Sequence, residues 1–146
     1  MSVKHPIISV TGSSGAGTTS VKRTFERIFR REGINAAFIE GDAFHRYDRL
    51  AMKQVMAEEA QKGNHHFSRC GPQANLLGEL EAVFQQFGET GTGKTRHYVH
   101  DEDEEQLYGS APGTFTAWQP IAGDTELLFY EGLHGAVVTD AVNLAR

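Results

Sequence analysis

A glycine-rich turn between two apolar segments limits the possible folds of this chain more than any other feature. The turn, "GSSGAGTT", runs from Gly12 to Thr19. Before it, "PIISVT" (Pro6 to Thr11) is a short β-branched run, which predicts a buried strand. After it, from Thr18 to about Glu32, apolar residues recur at helical spacing and predict an amphipathic helix. The apolar face of this helix comprises Val21, Phe25, Ile28 and Phe29.

A second strand follows directly. Gly33 suits the position that ends the helix, and "NAAFIE", Asn35 to Glu40, predicts the next strand. A strand, a glycine-rich turn, a helix and another strand make a right-handed βαβ unit. The sequence therefore predicts an α/β fold built on a parallel sheet.

The remaining segments predict two more helices and one more strand. The helices are expected from about Leu50 to Gln61 and from about Ala74 to Phe87, and "ELLFYE", Glu126 to Glu131, reads as a buried strand. We expect residues 88–123 to be an irregular loop region or insertion. The 146 residues are expected to form a single domain. Because three strands are few for a parallel sheet, we also expect the chain to be the N-terminal portion of a longer fold.

Two segments compete as the phosphate-binding loop. "GETGTGKT", Gly88 to Thr95, matches the pattern G-x-x-x-x-G-K-[ST], whereas the earlier turn has Thr18 where the lysine belongs. Phosphate binding needs a strand before the glycines and a helix after them, and only the earlier turn has both. We therefore predict that the nucleotide is bound by Gly12, Ser13, Ser14, Gly15, Ala16, Gly17, Thr18 and Thr19. The later segment is expected to be a flexible loop, or one whose Lys94 and Arg96 face an anionic substrate.

Two carboxylates are expected at the same edge of the sheet. Asp42 follows the second strand by two residues, and Glu131 ends the last strand. Ligands of open parallel sheets bind outside the carboxyl ends of the strands. Phosphoryl transfer needs one carboxylate as base and another near magnesium, roles that suit Asp42 and Glu131 respectively. Thr19 is the hydroxyl expected to reach the metal. For each carboxylate the alternative is a helix cap or a solvated turn.

Basic residues follow Asp42 closely. They are His45, Arg46, Arg49 and Lys53. Arginine suits bidentate recognition of phosphate, so this cluster suggests an acceptor that carries a phosphate of its own. Arg49 and Lys53 are four residues apart and share a helix face. The alternative is an exposed basic turn of helix.

Charge, apolar runs and cysteine content argue against several classes of protein. The net charge of −5 argues against nucleic-acid binding, and no apolar run is long enough to span a membrane. The N-terminus lacks the features of a signal peptide. Cys70 is the only cysteine, which fits a reducing cytoplasm, and we expect a buried or half-buried thiol. His65, His66 and Cys70 lack the spacing of a zinc site, and the acidic run 101–105 is expected to be a solvated face.

Several segments together resemble the bacterial class of the phosphoribulokinase family. They are "HPIISVTGSSGAGTT", "EGDAFHRYDR", "GKTRHYVH", "APGTFTAW" and "LLFYEGLHGAVV". The resemblance implies a P-loop kinase fold with three layers and a mostly parallel or mixed sheet. It also implies ATP and Mg²⁺, with ribulose 5-phosphate as acceptor, ribulose 1,5-bisphosphate as product and the reductive pentose phosphate cycle as setting.

The resemblance also implies residue roles. Asp42 would be the general base and Glu131 the acidic residue that acts with magnesium. The expected contacts to the sugar phosphate are His45, Arg49, Lys53, Tyr98 and His100. Arg31 resembles a position linked to effector response. The resemblance to the bacterial members also implies that the protein is a homo-oligomer activated by NADH and inhibited by AMP. Thr18 fits, because the family characteristically lacks the P-loop lysine.

Two alternatives stay open from the sequence. One is a kinase similar to uridine kinase, with a nucleoside as acceptor. The other is a nucleotide-binding fragment without turnover, because the resemblance implies a chain that continues well beyond residue 146. The plant-type enzymes place regulatory cysteines near the nucleotide site, and here the sequence has none at that position, so we do not expect thioredoxin switching.

Overall fold

The computed structural model describes residues 4–13, 16–139 and 141–145. Three strands form a parallel sheet: β1 (Ile7–Thr11), β2 (Ala36–Glu40) and β5 (Leu127–Gly132). Their order is β1-β5-β2, with the last strand of the chain in the centre. Leu127 to Tyr130 of that strand are buried, as expected for a strand covered on both faces. The predicted α/β fold with a parallel sheet is confirmed.

The strand register brings three chain segments to one edge of the sheet. Glu131 lies opposite Val10 of β1 and opposite Glu40 of β2. The connection from β1 to the glycine-rich turn therefore leaves the sheet at the level of Glu131. The connection from β2 to Asp42 leaves the sheet at the same level.

Helix α1 (Thr18–Glu32) packs on one face of the sheet. Phe25 and Phe29 contact Phe129 of the central strand, with ring centroids 5.1 and 6.2 Å apart. Gly33 adopts a left-handed conformation (φ 67°) and ends the helix as predicted. The predicted apolar face is only partly correct, because Val21 and Ile28 remain 39% and 37% exposed.

Helix α3 (Leu77–Thr90) supplies the core on the other face. All five apolar positions of its predicted face are buried, namely Leu77, Leu80, Val83, Phe84 and Phe87. Helix α2 (Arg49–Gln61) buries only Met52 and begins at Asp48, whose side chain accepts a hydrogen bond from the Ala51 N–H. Within the described ranges, no helix is long and apolar enough to cross a membrane.

Residues 88–123 are more regular than predicted. Helix α4 (Glu102–Tyr108) lies within them, and β3 (Lys94–Thr95) pairs antiparallel with β4 (Gln119–Pro120). The prediction of a solvated acidic face at 101–105 was also incomplete, because the run begins a helix. The Asp101 side chain caps it by accepting from the Glu104 N–H at 2.9 Å.

Candidate active site

A polar cleft of about 620 Å³ opens at the carboxyl edge of the parallel sheet. It is lined by the start of α1, the 3₁₀ turn after β2, the end of β5 and the segment before α4. The predicted site residues that line it are Gly12, Ser13, Thr18, Thr19, Asp42, His45, Arg49, Tyr98, His100 and Glu131. The structure therefore brings together ten of the residues that were singled out from the sequence.

The glycine-rich turn lies between β1 and the N-terminus of α1. Gly17 has a left-handed conformation (φ 83°) immediately before the helix, where a side chain would be strained. A Cβ atom on Gly12 would lie 2.9 Å from Cγ2 of Thr18, so the backbone approach is close. Ala16 is exposed within the turn. Ser14 and Gly15, which also belong to the predicted loop, lie outside the described residues.

Glu131 connects this turn to the sheet. The Thr18 hydroxyl donates to Oε1 of Glu131 at 2.5 Å. One helical turn further, Lys22 forms an ion pair with Glu40 at 2.8 Å. Burial lowers the pKa of Lys22, but its hydrogen bond to Glu40 and the charges of Glu40, Glu26 and Glu131 outweigh burial and raise it. A carboxylate and two hydroxyl residues, Thr18 and Thr19, thus lie together at the helix N-terminus.

Asp42 lies in the 3₁₀ turn Gly41–Phe44, between two imidazole rings. Its Oδ1 is 3.1 Å from Nε2 of His45, and its Oδ2 is 2.9 Å from Nε2 of His100. The outer nitrogen of His45 contacts Oδ1 of Asn75 at 2.8 Å, and that of His100 contacts Glu104 at 3.0 Å. Asp42 is therefore the centre of a hydrogen-bonded network rather than an isolated turn residue.

The network changes two pKa values. The hydrogen bond from His45, opposed by burial and helped by His100, lowers the pKa of Asp42 to about 2. Burial lowers the pKa of His100, but its hydrogen bonds to Asp42 and Glu104 and their charges outweigh burial and raise it. Asp42 is consequently ionised at neutral pH.

The predicted phosphate contacts divide into two groups. Arg49 lines the cleft, and its Nη2 donates to the backbone oxygen of His100 at 3.0 Å. The ring of Tyr98 meets the rings of His45 and His100 edge to face. Lys53 lies exposed on α2, one turn beyond Arg49, and is not among the residues that line the cleft.

The structure corrects the prediction for Lys94 and Arg96. Gly88 to Thr90 end helix α3, and Gly91 (φ 72°) caps it, so "GETGTGKT" lies between a helix and a short strand. Lys94 is 3.8 Å from Glu79 and lies over the ring of Trp118. Neither Lys94 nor Arg96 lines the cleft. The preference for the earlier turn agrees with this setting, because β1 precedes that turn and α1 follows it.

Arg96 instead supports the turn that carries Asp42. Its guanidinium carbon lies 3.6 Å from the ring centroid of Phe115 and 4.6 Å from that of Trp118. Its Nε and Nη2 each donate at 2.8 Å, to the backbone oxygens of Ala43 and His45 respectively. Both nitrogens are therefore occupied by the protein itself.

Other predictions fall outside the network. Cys70 is exposed, not buried, because it lies in the loop between α2 and α3, where its backbone oxygen accepts from His134. His65 and His66 are exposed in the same loop. Arg31 lies in the last turn of α1, away from the helix end at the cleft, and pairs with Glu32.

Sequence reasoning missed several residues at the site. They are Glu40, Arg69, Asn75, Glu104 and His134. For Glu104 the sequence has one local signal, because Asp101 and Glu104 have the spacing of a capping box, which places Glu104 in the first turn of a helix. The others carry no local pattern that indicates where they meet the site.

Known proteins resemble this chain over nearly its whole length. The model of the "Phosphoribulokinase / Uridine kinase family" matches residues 7–145. A phosphoribulokinase of Nitrobacter vulgaris is 68% identical over 98% of this chain and 49% of its own length. The chromosomal phosphoribulokinase of Cupriavidus necator is 61% identical over the whole chain and 50% of its own length. The chain thus spans about half the length of the curated relatives that it matches.

Solved structures agree with this similarity. A phosphoribulokinase from Rhodobacter spheroides superposes with a TM-score of 0.85 at 54% identity, covering 97% of this chain and 47% of that one. A putative fructose transport system kinase from Silicibacter, at 11% identity and a TM-score of 0.65, shares the fold. Because the family model matches residues 7–145, this chain belongs to the phosphoribulokinase / uridine kinase family.

Proposed function

We propose that the protein carrying this chain transfers a phosphoryl group from ATP to ribulose 5-phosphate and forms ribulose 1,5-bisphosphate. The observation that carries the proposal is the convergence of Asp42, Glu131 and the start of α1 on one cleft. The names of the relatives support the choice of reaction. The setting would be the reductive pentose phosphate cycle in the cytoplasm.

Asp42 would act as the general base. It is ionised and half exposed, with 52% of its side chain accessible, so an acceptor hydroxyl can reach it from the cleft. The hydroxyl proton passes to Asp42 as the oxygen bonds to the transferred phosphorus, and the bond from that phosphorus to the ADP oxygen breaks. Two hydrogen bonds from the Arg96 side chain to backbone oxygens hold the turn that carries this carboxylate.

The residues present also suit ATP and Mg²⁺. The start of α1 offers free backbone N–H groups and the positive end of a helix dipole to phosphate oxygens. Thr19 and Glu131 would hold the magnesium ion, and the contact between Thr18 and Glu131 keeps a hydroxyl and a carboxylate together there. The ion, when bound, would neutralise charge on the phosphates.

The acceptor would be read by the basic side of the cleft. His45 and Arg49 line this side, with Tyr98 and His100 beside them, and Lys53 would reach the acceptor from one helical turn away. Arg49 supports a phosphorylated acceptor, because guanidinium pairs well with phosphate. Regulation by NADH and AMP involving Arg31, and assembly into a homo-oligomer, belong to the same proposal.

Acceptor competition tests the proposal in the full-length protein. With MgATP as donor, we expect phosphorylation of ribulose 5-phosphate and no comparable reaction with uridine. An Arg49→Gln variant should raise the KM for ribulose 5-phosphate about tenfold or more, because one charged hydrogen-bond donor to phosphate is removed. Preferential phosphorylation of uridine would favour the uridine-kinase alternative, and nucleotide binding without turnover would favour a binding protein.

A further inference from the structure

One imidazole ring joins Glu104 to Asp42. His100 Nε2 lies 2.9 Å from Oδ2 of Asp42, and His100 Nδ1 lies 3.0 Å from Oε2 of Glu104. An ionised carboxylate only accepts hydrogen bonds, so each of these contacts needs an N–H on the ring. Both contacts are satisfied together when His100 is an imidazolium.

The second ring on Asp42 has a fixed outer partner as well. The Asn75 Nδ2 donates at 2.7 Å to the backbone oxygens of Arg69 and Gly71, so its Oδ1 is the atom that accepts from His45 Nδ1. His45 Nε2 then meets Oδ1 of Asp42 at 3.1 Å. This second contact needs a further N–H on His45.

These contacts stabilise ionised Asp42 but weaken it as a base. Each of its oxygens faces a ring nitrogen that donates, and the bonds favour the carboxylate over the carboxylic acid. Oδ2 of Asp42 can readily take a proton once His100 has lost the proton on Nε2, because the bond that this nitrogen donates is then gone. His100 is the ring whose outer partner is a charged carboxylate, so Glu104 acts directly on that loss.

We propose that Glu104 is a positioning residue that, through His100, sets the pH above which Asp42 becomes an effective base. The inference rests on the proposed function, since it concerns the same proton transfer from the acceptor hydroxyl to Asp42. Glu104 touches neither Asp42 nor the reacting atoms and acts only through the ring between them. The raised pKa of His100 agrees with this arrangement.

Other charged groups surround the network without replacing Glu104. Arg49 contacts the backbone oxygen of His100. Burial raises the pKa of Tyr108 at the end of α4, and the charges of Glu40 and Glu104 raise it further. Burial raises the pKa of Tyr130 in the central strand to about 12, and the charges of Glu131 and Asp42 also raise it. The remaining titratable groups that line the cleft are Glu40, Arg69, Cys70, Tyr98, Glu131 and His134.

Glu104 also has a structural role, which the test must keep intact. Its Oε2 accepts from the His100 backbone N–H at 2.8 Å, at the N-terminus of α4. Glutamine preserves this capping contact, because its side-chain oxygen can accept the same bond. Glu104→Gln therefore removes the charge and keeps the cap. Glu105→Gln is the matched control, since Glu105 is the next residue on α4 and is exposed.

The first measurement is a histidine ¹⁵N NMR titration, which does not depend on turnover. In the wild-type protein we expect both ring nitrogens of His100 to stay protonated above about pH 6.5, the ordinary histidine value. The His100 midpoint should move to lower pH in Glu104→Gln and stay unchanged in Glu105→Gln. Equal midpoints in the wild type and Glu104→Gln would overturn the inference.

The second measurement is the pH profile of kcat in the full-length protein, with ribulose 5-phosphate and MgATP. The acid limb should shift to lower pH in Glu104→Gln, so that the rate at about pH 6 becomes a larger fraction of the plateau rate. An unshifted limb would contradict the inference. A wild-type protein without phosphorylation would instead remove the proposed function, while the NMR titration would still decide the link between Glu104 and His100.

Discussion

At the scale of single residues, Asp42 contributes to stability as well as to the proposed chemistry. Its hydrogen bond from His45, with that from His100, lowers its folded-state pKa to about 2, from 3.8. A lowered carboxylate pKa gives stability that is present above the unfolded value and is lost as pH falls through the folded value. The window for Asp42 therefore runs from about pH 4 down to about pH 2.

A pH series of urea unfolding checks this assignment. The side chain is 52% exposed, so after solvent screening we expect a contribution of at most about 1 kcal/mol. The free-energy difference between wild type and Asp42→Asn should shrink by that amount between about pH 5 and pH 2.5. Asp103→Asn, which alters an exposed carboxylate outside the network, is the control. A difference that stays constant over this range would contradict the pKa assignment.

At the scale of elements, Arg96 joins the segment after β3 to the turn that carries Asp42. It lies against the rings of Phe115 and Trp118 and donates to the backbone oxygens of Ala43, in that turn, and His45, directly after it. Lysine cannot present two donors in a fixed plane while stacking on an aromatic ring. The link between these two elements therefore depends on the guanidinium group.

We expect Arg96→Lys to lower the free energy of unfolding by about 1–3 kcal/mol, because one charged hydrogen bond and part of the ring contact are lost. Urea unfolding measures the change, with Arg31→Lys as the control at a side chain that is 75% exposed. If both variants unfolded at the same urea concentration, Arg96 would not be the link between the two elements.

A second link joins the turn after β2 to the end of β5. A Cβ atom on Gly132 would lie 2.6 Å from the Tyr130 hydroxyl and 2.9 Å from the Cα of Gly41. The two backbones are therefore too close for any side chain at this position. This close approach helps to place Asp42 and Glu131 on the same cleft.

Gly132→Ala should destabilise the protein by about 1–3 kcal/mol, because a methyl group overfills a packed site. Thermal or urea unfolding measures the loss. Gly123→Ala is the matched control, since a Cβ atom there would meet nothing within 4 Å. Equal stability of the two alanine variants would show that the backbones can separate without cost.

The elements predicted correctly from the sequence are those in which the apolar periodicity extends over many residues. Helix α1 begins and ends where expected, and all five apolar positions of the α3 face are buried. The short elements between residues 88 and 123 were missed, since two-residue strands and a seven-residue helix have too little periodicity to be recognised. The spacing of Asp101 and Glu104 was the one local signal for α4.

At the scale of the whole molecule, the parallel sheet determines which site residues could be foreseen. Asp42 and Glu131 were predicted to meet because both follow the carboxyl ends of parallel strands. The contacts of His100 with Asp42 and of Arg96 with Ala43 join residues more than 50 positions apart. They depend on how the segment 88–123 folds back over the sheet. The sequence contains no periodic signal that indicates this arrangement.

The most direct test of the central claim is the kcat of Asp42→Asn in the full-length protein, with ribulose 5-phosphate and MgATP. The account predicts a fall of about 100-fold or more, as expected when a general base is removed. The affinity for ATP should change little, because Asp42 lies outside the glycine-rich turn at the start of α1. A variant that kept most of the wild-type rate would contradict the account, because Asp42 would then not be the base.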